Sequence, residues 1–415
     1  MPKAGNKFAG SAQGTVAPGF EPVREEFERN FRKHGEVGAA CAAYVGGDKV
    51  IDLWGGLRDK PTQAPWEENT RVLVFSTTKG VAGLTLALAH SRGYFEYSDP
   101  VAKYWPEFAQ NGKQDITIAQ LLSHQAGICA IDQRLTLDHM HDLDGLAAVL
   151  ARQKPAWKPG TRHGYHGITI GWYEGELMRR VDPKHRTLGT FFREEIAEPL
   201  KLEFTIGTPK SIAEDRIAKL VDFAPWQSLL NLNKLPASFA ISVLNPLTLT
   251  ARTFRNPYVK RPGEISNALW RQPEIPAANG IGTARSLARL YSVFANGGSE
   301  LGIKPATLNA LAEAAPDPSG GKFDLILRAN TTYSMGFFKQ SDEFSFGSDT
   351  AFGTAGLGGS FAYCDPKNKT AFAYVMNKMD FYLWDDPREH ALRTAFQASV
   401  EKMRLHNTDT IPVVK

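Results

Sequence analysis

Apolar positions along the chain follow two rhythms. From Val23 to His34 (VREEFERNFRKH), Phe27 and Phe31 stand four apart among charged residues, the spacing of an amphipathic helix. The runs AACAAYVGG (39–47) and KVIDLWGG (49–56) then read as two strands joined by a tight Gly/Asp turn, an antiparallel hairpin. The last third has similar content: YSMGFFK (333–339), SFAYC (360–364) and TAFAYVMN (370–377) are strand-like, and Pro387 to Arg404 forms a closing helix. Between them, helical periodicity and Pro/Gly punctuation dominate, as in ITIAQLLSH, LDGLAAVLAR and TLGTFFREEIAEPL, while 209–275 has no readable pattern. The pattern predicts an α/β domain built from both chain ends, residues 19–97 and 276–415, interrupted by a mostly helical insertion over 98–275 and preceded by a flexible 1–18.

Length and charge narrow the function classes. A chain of 415 residues with 42% hydrophobic content can bury a large core. A formal charge of +4 without a concentrated basic run gives little reason to expect nucleic acid or an anionic membrane, so a small molecule is the default partner. Oligomeric state is open. Cys41, Cys129 and Cys364 form no Cys-x-x-Cys pair, which argues against structural zinc and a disulfide framework; they read as buried, reduced thiols. No signal-peptide core and no apolar run near the ~20 residues of a membrane helix occur, so the expectation is a cytoplasmic protein.

Candidate chemistry begins at FSTTKGVAGLTLALAH (75–90), where Ser76 and Lys79 are spaced so that one helical turn brings amine to hydroxyl. The same Ser-x-x-Lys spacing recurs at Ser319/Lys322, inside a turn-rich PDPSGGK loop, and at Ser399/Lys402, read as the solvated face of the closing helix. Only Ser76 precedes a helix that is apolar nearly all round, which would bury Lys79 at the positive end of the helix dipole. The competing reading is a serine helix cap followed by a snorkelling lysine.

WKPGTRHGYHGITIG (157–171) adds a turn, a tyrosine and a helix-like segment. With it the chain resembles the serine β-lactamase and penicillin-binding protein superfamily, in particular the class C-like branch that includes family VIII carboxylesterases. Ser76, Lys79 and Tyr165 match its motifs, and LLSHQAGI, DPVAKYWPEF, FREEIAEPLKL, NGIGTARSLARLYSVFANGG and FGTAGLGGSFAYCDP follow as further landmarks. The resemblance implies an α+β, β-lactamase/transpeptidase-like fold: an antiparallel sheet flanked by helices, with a mostly helical second domain. Two departures stand out. Gly167 takes the place of an asparagine or serine, and Thr354-Ala355-Gly356 replaces Lys-Thr-Gly or His-x-Gly.

That missing cation would otherwise bind the carboxylate of a β-lactam or D-Ala-D-Ala peptide, and a charge-assisted hydrogen bond is the stronger kind. The expectation is therefore a serine hydrolase of short-chain carboxylic esters, forming an acyl-enzyme on Ser76. Lys79 is expected as an ammonium that stabilises a Tyr165 phenolate base, with the backbone N–H groups of Ser76 and Leu357 as oxyanion hole. His166, Thr354, Ala355 and Gly356 are the expected substrate-binding positions; His124 reads as structural. Trp157, Trp172 and Trp226 are candidates for a pocket wall, with core packing the default. The alternatives are a β-lactamase or D-Ala-D-Ala-type peptidase, and a catalytically silent protein of the same fold used for binding or assembly. No zinc, Walker A or dinucleotide motif occurs, and neither metal nor cofactor is implied.

Overall fold

The structure is a computed structural model and describes residues 12–223, 231 and 234–408. The main sheet runs in the order β1 (Gln13–Val16), β3 (Asp48–Asp59), β2 (Gly38–Val45), β11 (Thr370–Met376), β10 (Phe361–Asp365), β9 (Phe352–Ala355) and β8 (Phe338–Lys339), every neighbour antiparallel. The short β4 (Ala64–Pro65) pairs with β3. The N-terminal hairpin thus meets the C-terminal strands where β2 lies against β11.

Alternation along these strands sorts residues by size. Cys41, Ile51, Leu53, Phe361, Tyr363, Phe372 and Tyr374 point to one face, where the Glu21–Lys33 and Pro387–Thr408 helices bring Val23, Phe27, Leu392 and Phe396. Ala42, Ala362, Ala371 and Ala373 point to the other, against the Ala284–Ala295 helix and the Thr78–Ser91 helix behind it. Small side chains on that face let a helix approach closely, and large aromatics fill the wider gap opposite. Burial on both faces explains why the strands read as nearly continuous apolar runs.

Between 98 and 275 the described residues contribute one strand, β6 (Phe204–Ile206), outside the main sheet. With β5 (Val72–Leu73) and β7 (Gly280–Gly282) it forms a small antiparallel sheet that delivers the chain to Ser76.

Three expectations need correction. Within the lead expected to be flexible, residues 13–16 form a strand: Gly14, at φ 93°, sits where a Cβ would lie 2.0 Å from the Asp52 carbonyl, so pairing there comes from backbone without an apolar side-chain pattern. The segment 333–339 is no continuous strand, because Gly336 at φ 94° reverses it and only Phe338–Lys339 joins the sheet. Ser399 is buried rather than on a solvated face, although Lys402 is exposed. The three cysteines are free and buried, as expected.

Candidate active site

β5 leads into one tight 3-10 turn, Phe75–Thr77, and then the Thr78–Ser91 helix. Phe75 has φ 44°, a conformation side chains other than glycine rarely adopt, and it marks a strained turn just before Ser76. Thr78 Oγ1 holds that turn by donating to the Phe75 carbonyl at 2.5 Å. Every residue of the helix but His90 is buried. Gly80 permits this, since a Cβ there would fall 1.9 Å from the Tyr291 hydroxyl.

Lys79 Nζ lies 2.9 Å from Ser76 Oγ, 2.7 Å from the Gly167 carbonyl and 3.0 Å from the Ala277 carbonyl. All three partners accept from Nζ; on loss of one proton the two carbonyls would keep their N–H bonds and a lone pair would be free for the serine O–H. Ser76 is no helix cap: neither the 3-10 turn nor the helix after it has a side-chain cap, and Ser76 Oγ is engaged by Lys79.

Burial pulls Lys79 from 10.5 down to about 7, against an opposing pull from the Glu174 carboxylate. Burial pushes Tyr165 above its ordinary value, only partly offset by the hydrogen bond with Ser76, and Asp324 and Glu174 add to the rise. Desolvation disfavours both charges of the expected Lys79 ammonium beside a Tyr165 phenolate: the tyrosine is held as a phenol, and the lysine near neutrality is divided between amine and ammonium. Lys79 Nζ sits 4.9 Å from the centre of the Tyr165 ring.

Two acids that sequence reasoning missed support this centre. Asp324, wholly buried, accepts from the backbone N–H groups of Tyr165 (2.9 Å), Ile326 and Leu327 and from the Tyr333 hydroxyl. It fixes the tyrosine's backbone. The run Asp324-Leu-Ile-Leu allows the local turn to be read, but not the reach back to Tyr165. Glu174 is buried beside the Thr78–Ser91 helix, with Oε2 unpartnered and the carboxyl raised to about 8 by burial.

The loop after β9 is bolted to the Phe75–Thr77 turn. Ser360 Oγ donates to the Val74 carbonyl at 2.8 Å and lies 2.9 Å from Thr77 Oγ1, and Gly356 leaves space where a Cβ would meet Val74 O at 2.4 Å. From below, the buried Arg388 donates to the Gly358 carbonyl at 2.7 Å while paired with Glu36 and Asp386. Leu357, at the loop's tip, lines the same cleft as Ser76, and its amide has no acceptor among the described residues.

That cleft holds about 380 Å3, and its wall is mostly apolar, with Phe239, Phe254, Ile265, Phe338 and Trp384 among the lining residues. Asp380, the one carboxylate of the described lining, is paired with Lys234 at 2.7 Å. Of the expected substrate-binding positions, Ala355 lines the cleft. Three others do not. His166 is fully buried with Nδ1 3.1 Å from His124 Nδ1, and burial lowers it to about 3. Thr354 turns inward to the Thr77 carbonyl and the Tyr291 hydroxyl, and Gly356 lies against Val74. Trp157 and Trp172 belong to the core rather than this cleft. Trp226 lies outside the described residues. Much of the wall comes from 235–265, the segment that had no pattern. Among the described residues no cluster suited to a metal ion occurs.

A family model described as Beta-lactamase matches residues 24–395. The chain belongs to the beta-lactamase family. Among its curated relatives, Esterase/beta-lactamase LipL of Mycobacterium tuberculosis (strain ATCC 25618 / H37Rv) is 32% identical over 398 residues, covering 91% of this chain and 85% of that protein. The crystal structure of a family VIII carboxylesterase superposes on this beta-lactamase-family chain with TM-score 0.82 at 34% identity, covering 94% of this chain and 99% of that one. A penicillin-binding protein homolog from Caulobacter crescentus gives TM-score 0.80 at 37% identity with the same coverages. The expected β-lactamase/transpeptidase-like α+β fold is therefore correct, and the beta-lactamase-family chain is a serine hydrolase of that fold.

Proposed function

We propose that the chain hydrolyses neutral carboxylic esters through an acyl-enzyme on Ser76. The observation that carries this reading is the environment of Lys79: a buried side chain held by the Gly167 and Ala277 carbonyls with Nζ 2.9 Å from Ser76 Oγ, where desolvation favours the amine over the ammonium. Lys79 accepts the Ser76 proton as Oγ attacks the ester carbonyl, and negative charge grows on the carbonyl oxygen. The amides of Ser76 and Leu357 receive that oxyanion. As the tetrahedral intermediate collapses, the Tyr165 phenol donates its proton to the departing alkoxide and is reprotonated from Lys79. Water then attacks the acyl group by the reverse proton route, releasing acid and Ser76.

The cleft supports a neutral substrate. A carboxylate would meet Asp380 and apolar side chains without an available cation among the described lining residues. Short acyl chains fit with room to spare. A relative named as both esterase and β-lactamase keeps lactam hydrolysis as the second reading. Rates on p-nitrophenyl butyrate and a chromogenic cephalosporin, for wild type and Ser76→Ala, test both. The ester should be turned over faster and Ser76→Ala should lose about 10³-fold or more. Faster cephalosporin turnover would reverse the substrate order, and full ester activity in Ser76→Ala would reject the nucleophile. A folded protein that fluorophosphonate fails to label at Ser76 would instead support a silent binding role.

A further inference from the structure

Several of the exposed large apolar side chains gather beside the cleft. Ile241 is 70% exposed, Leu244 52%, Leu247 86% and Tyr258 62%. Ile241 and Leu244 ride on the short helix Ala237–Leu244, Leu247 on the link to the next helix, Leu249–Phe254, and Tyr258 on the turn that follows it. Leu244 and Val259 belong to the cleft wall itself, and Arg255 ties the turn to the first helix by donating to the Val243 carbonyl at 3.0 Å. The apolar lining thus continues outward onto the surface. Isolated exposed leucines are ordinary, but a cluster continuous with a cleft points to a contact surface.

Charge selects the kind of surface. From 236 to 263 the sequence contains Arg252, Arg255, Lys260 and Arg261 and no acidic residue. Arg252 is paired with Asp132, whereas Arg255, Lys260 and Arg261 have no ion-pair partner among the described residues. The nearest acid in sequence, Glu264, accepts from the Lys260 backbone N–H at 3.1 Å. A whole-chain charge of +4 conceals this local excess. Apolar side chains flanked by unpaired basic ones match an anionic lipid surface, which takes the former among its acyl chains and the latter at its headgroups. No described helix is long and apolar enough to cross a membrane, so such contact would be peripheral.

We propose that the 241–261 rim docks the protein onto an anionic lipid surface, so that apolar esters pass from that surface into the Ser76 cleft. The delivery step rests on the ester reading above; the docking does not. Flotation of the full chain with phosphatidylglycerol-rich and with pure phosphatidylcholine vesicles tests it, using Ser76→Ala in parallel. Both proteins should bind the anionic vesicles at least about tenfold more tightly, and salt should weaken that binding. Arg255→Glu with Lys260→Glu, and separately Ile241→Ser with Leu247→Ser, should each lower it about tenfold while p-nitrophenyl acetate in solution is cleaved within about twofold of wild type. If a double variant loses that soluble activity, Leu247→Ser alone replaces it. Equal binding to both vesicle types, no binding, or binding indifferent to the substitutions overturns the proposal. So does a concentration-dependent dimer that occupies the rim and prevents flotation. Vesicle binding without any ester turnover would leave docking in place and defeat the ester reading.

Discussion

Lys79 makes a quantitative prediction about pH. An ordinary lysine at 10.5 would be neutral in about one molecule in 3,000 at pH 7; lowered to about 7, it is neutral in about half. The difference is worth ~5 kcal/mol in availability of the base. For a neutral ester, kcat/KM should rise with pH, bend near 7 and hold a plateau above it, falling to about one percent of that plateau at pH 5. The same shift predicts stability. Between about 7 and 10.5 the unfolded chain holds a proton on this lysine that the folded chain has released, so stability rises with pH across that window. The penalty of burying the lysine is complete below about 7 and absent above 10.5. Replacing it by Met should therefore raise stability relative to wild type by up to ~5 kcal/mol more at pH 6 than at pH 10.5, read from urea midpoints. The reasoning fails if the rate is flat down to pH 5, or if the midpoint difference between Lys79→Met and wild type is the same at both pH values.

Tyr165→Phe keeps the ring against Phe338 and removes the proton donor. It should lower kcat about 10²–10³-fold with little change in KM, and an alkyl ester should suffer more than a nitrophenyl ester, whose leaving group needs no proton. Arg388→Met leaves Glu36 and Asp386 without their buried cation and should cost about 3–5 kcal/mol in denaturant unfolding.

The hairpin, the closing helix and the aromatic strands were legible because both faces of the sheet are buried and the apolar runs are long. β1 was not, since a QGTV strand held by backbone bonds and a glycine contact carries no side-chain rhythm. At the site, Ser76, Lys79 and Tyr165 could be placed by spacing and resemblance, and the structure brings them together. Their protonation could not. It depends on burial and on carbonyls that only tertiary structure supplies, which is why a phenolate was expected where a phenol stands. Thr354 was given a substrate contact for a related reason: the strand position was right, but the pleat turns its hydroxyl toward Thr77. Asp324 and Glu174 resemble many other acids in the chain until the fold removes water from them.

The two carbonyls that hold Lys79 come from residues 88 and 198 positions further along the chain. A chain emerging from synthesis has Ser76 and Lys79 in place long before Ala277 exists. Until the later segments close over it, the lysine stays hydrated and protonated, and the serine is an unreactive alcohol. On the acyl-enzyme reading proposed above, the serine is thus latent by construction, and its reactivity appears only with completion of the fold. Covalent labelling of Ser76 would then report whether distant parts of the chain have found one another, a chemical readout of correct assembly.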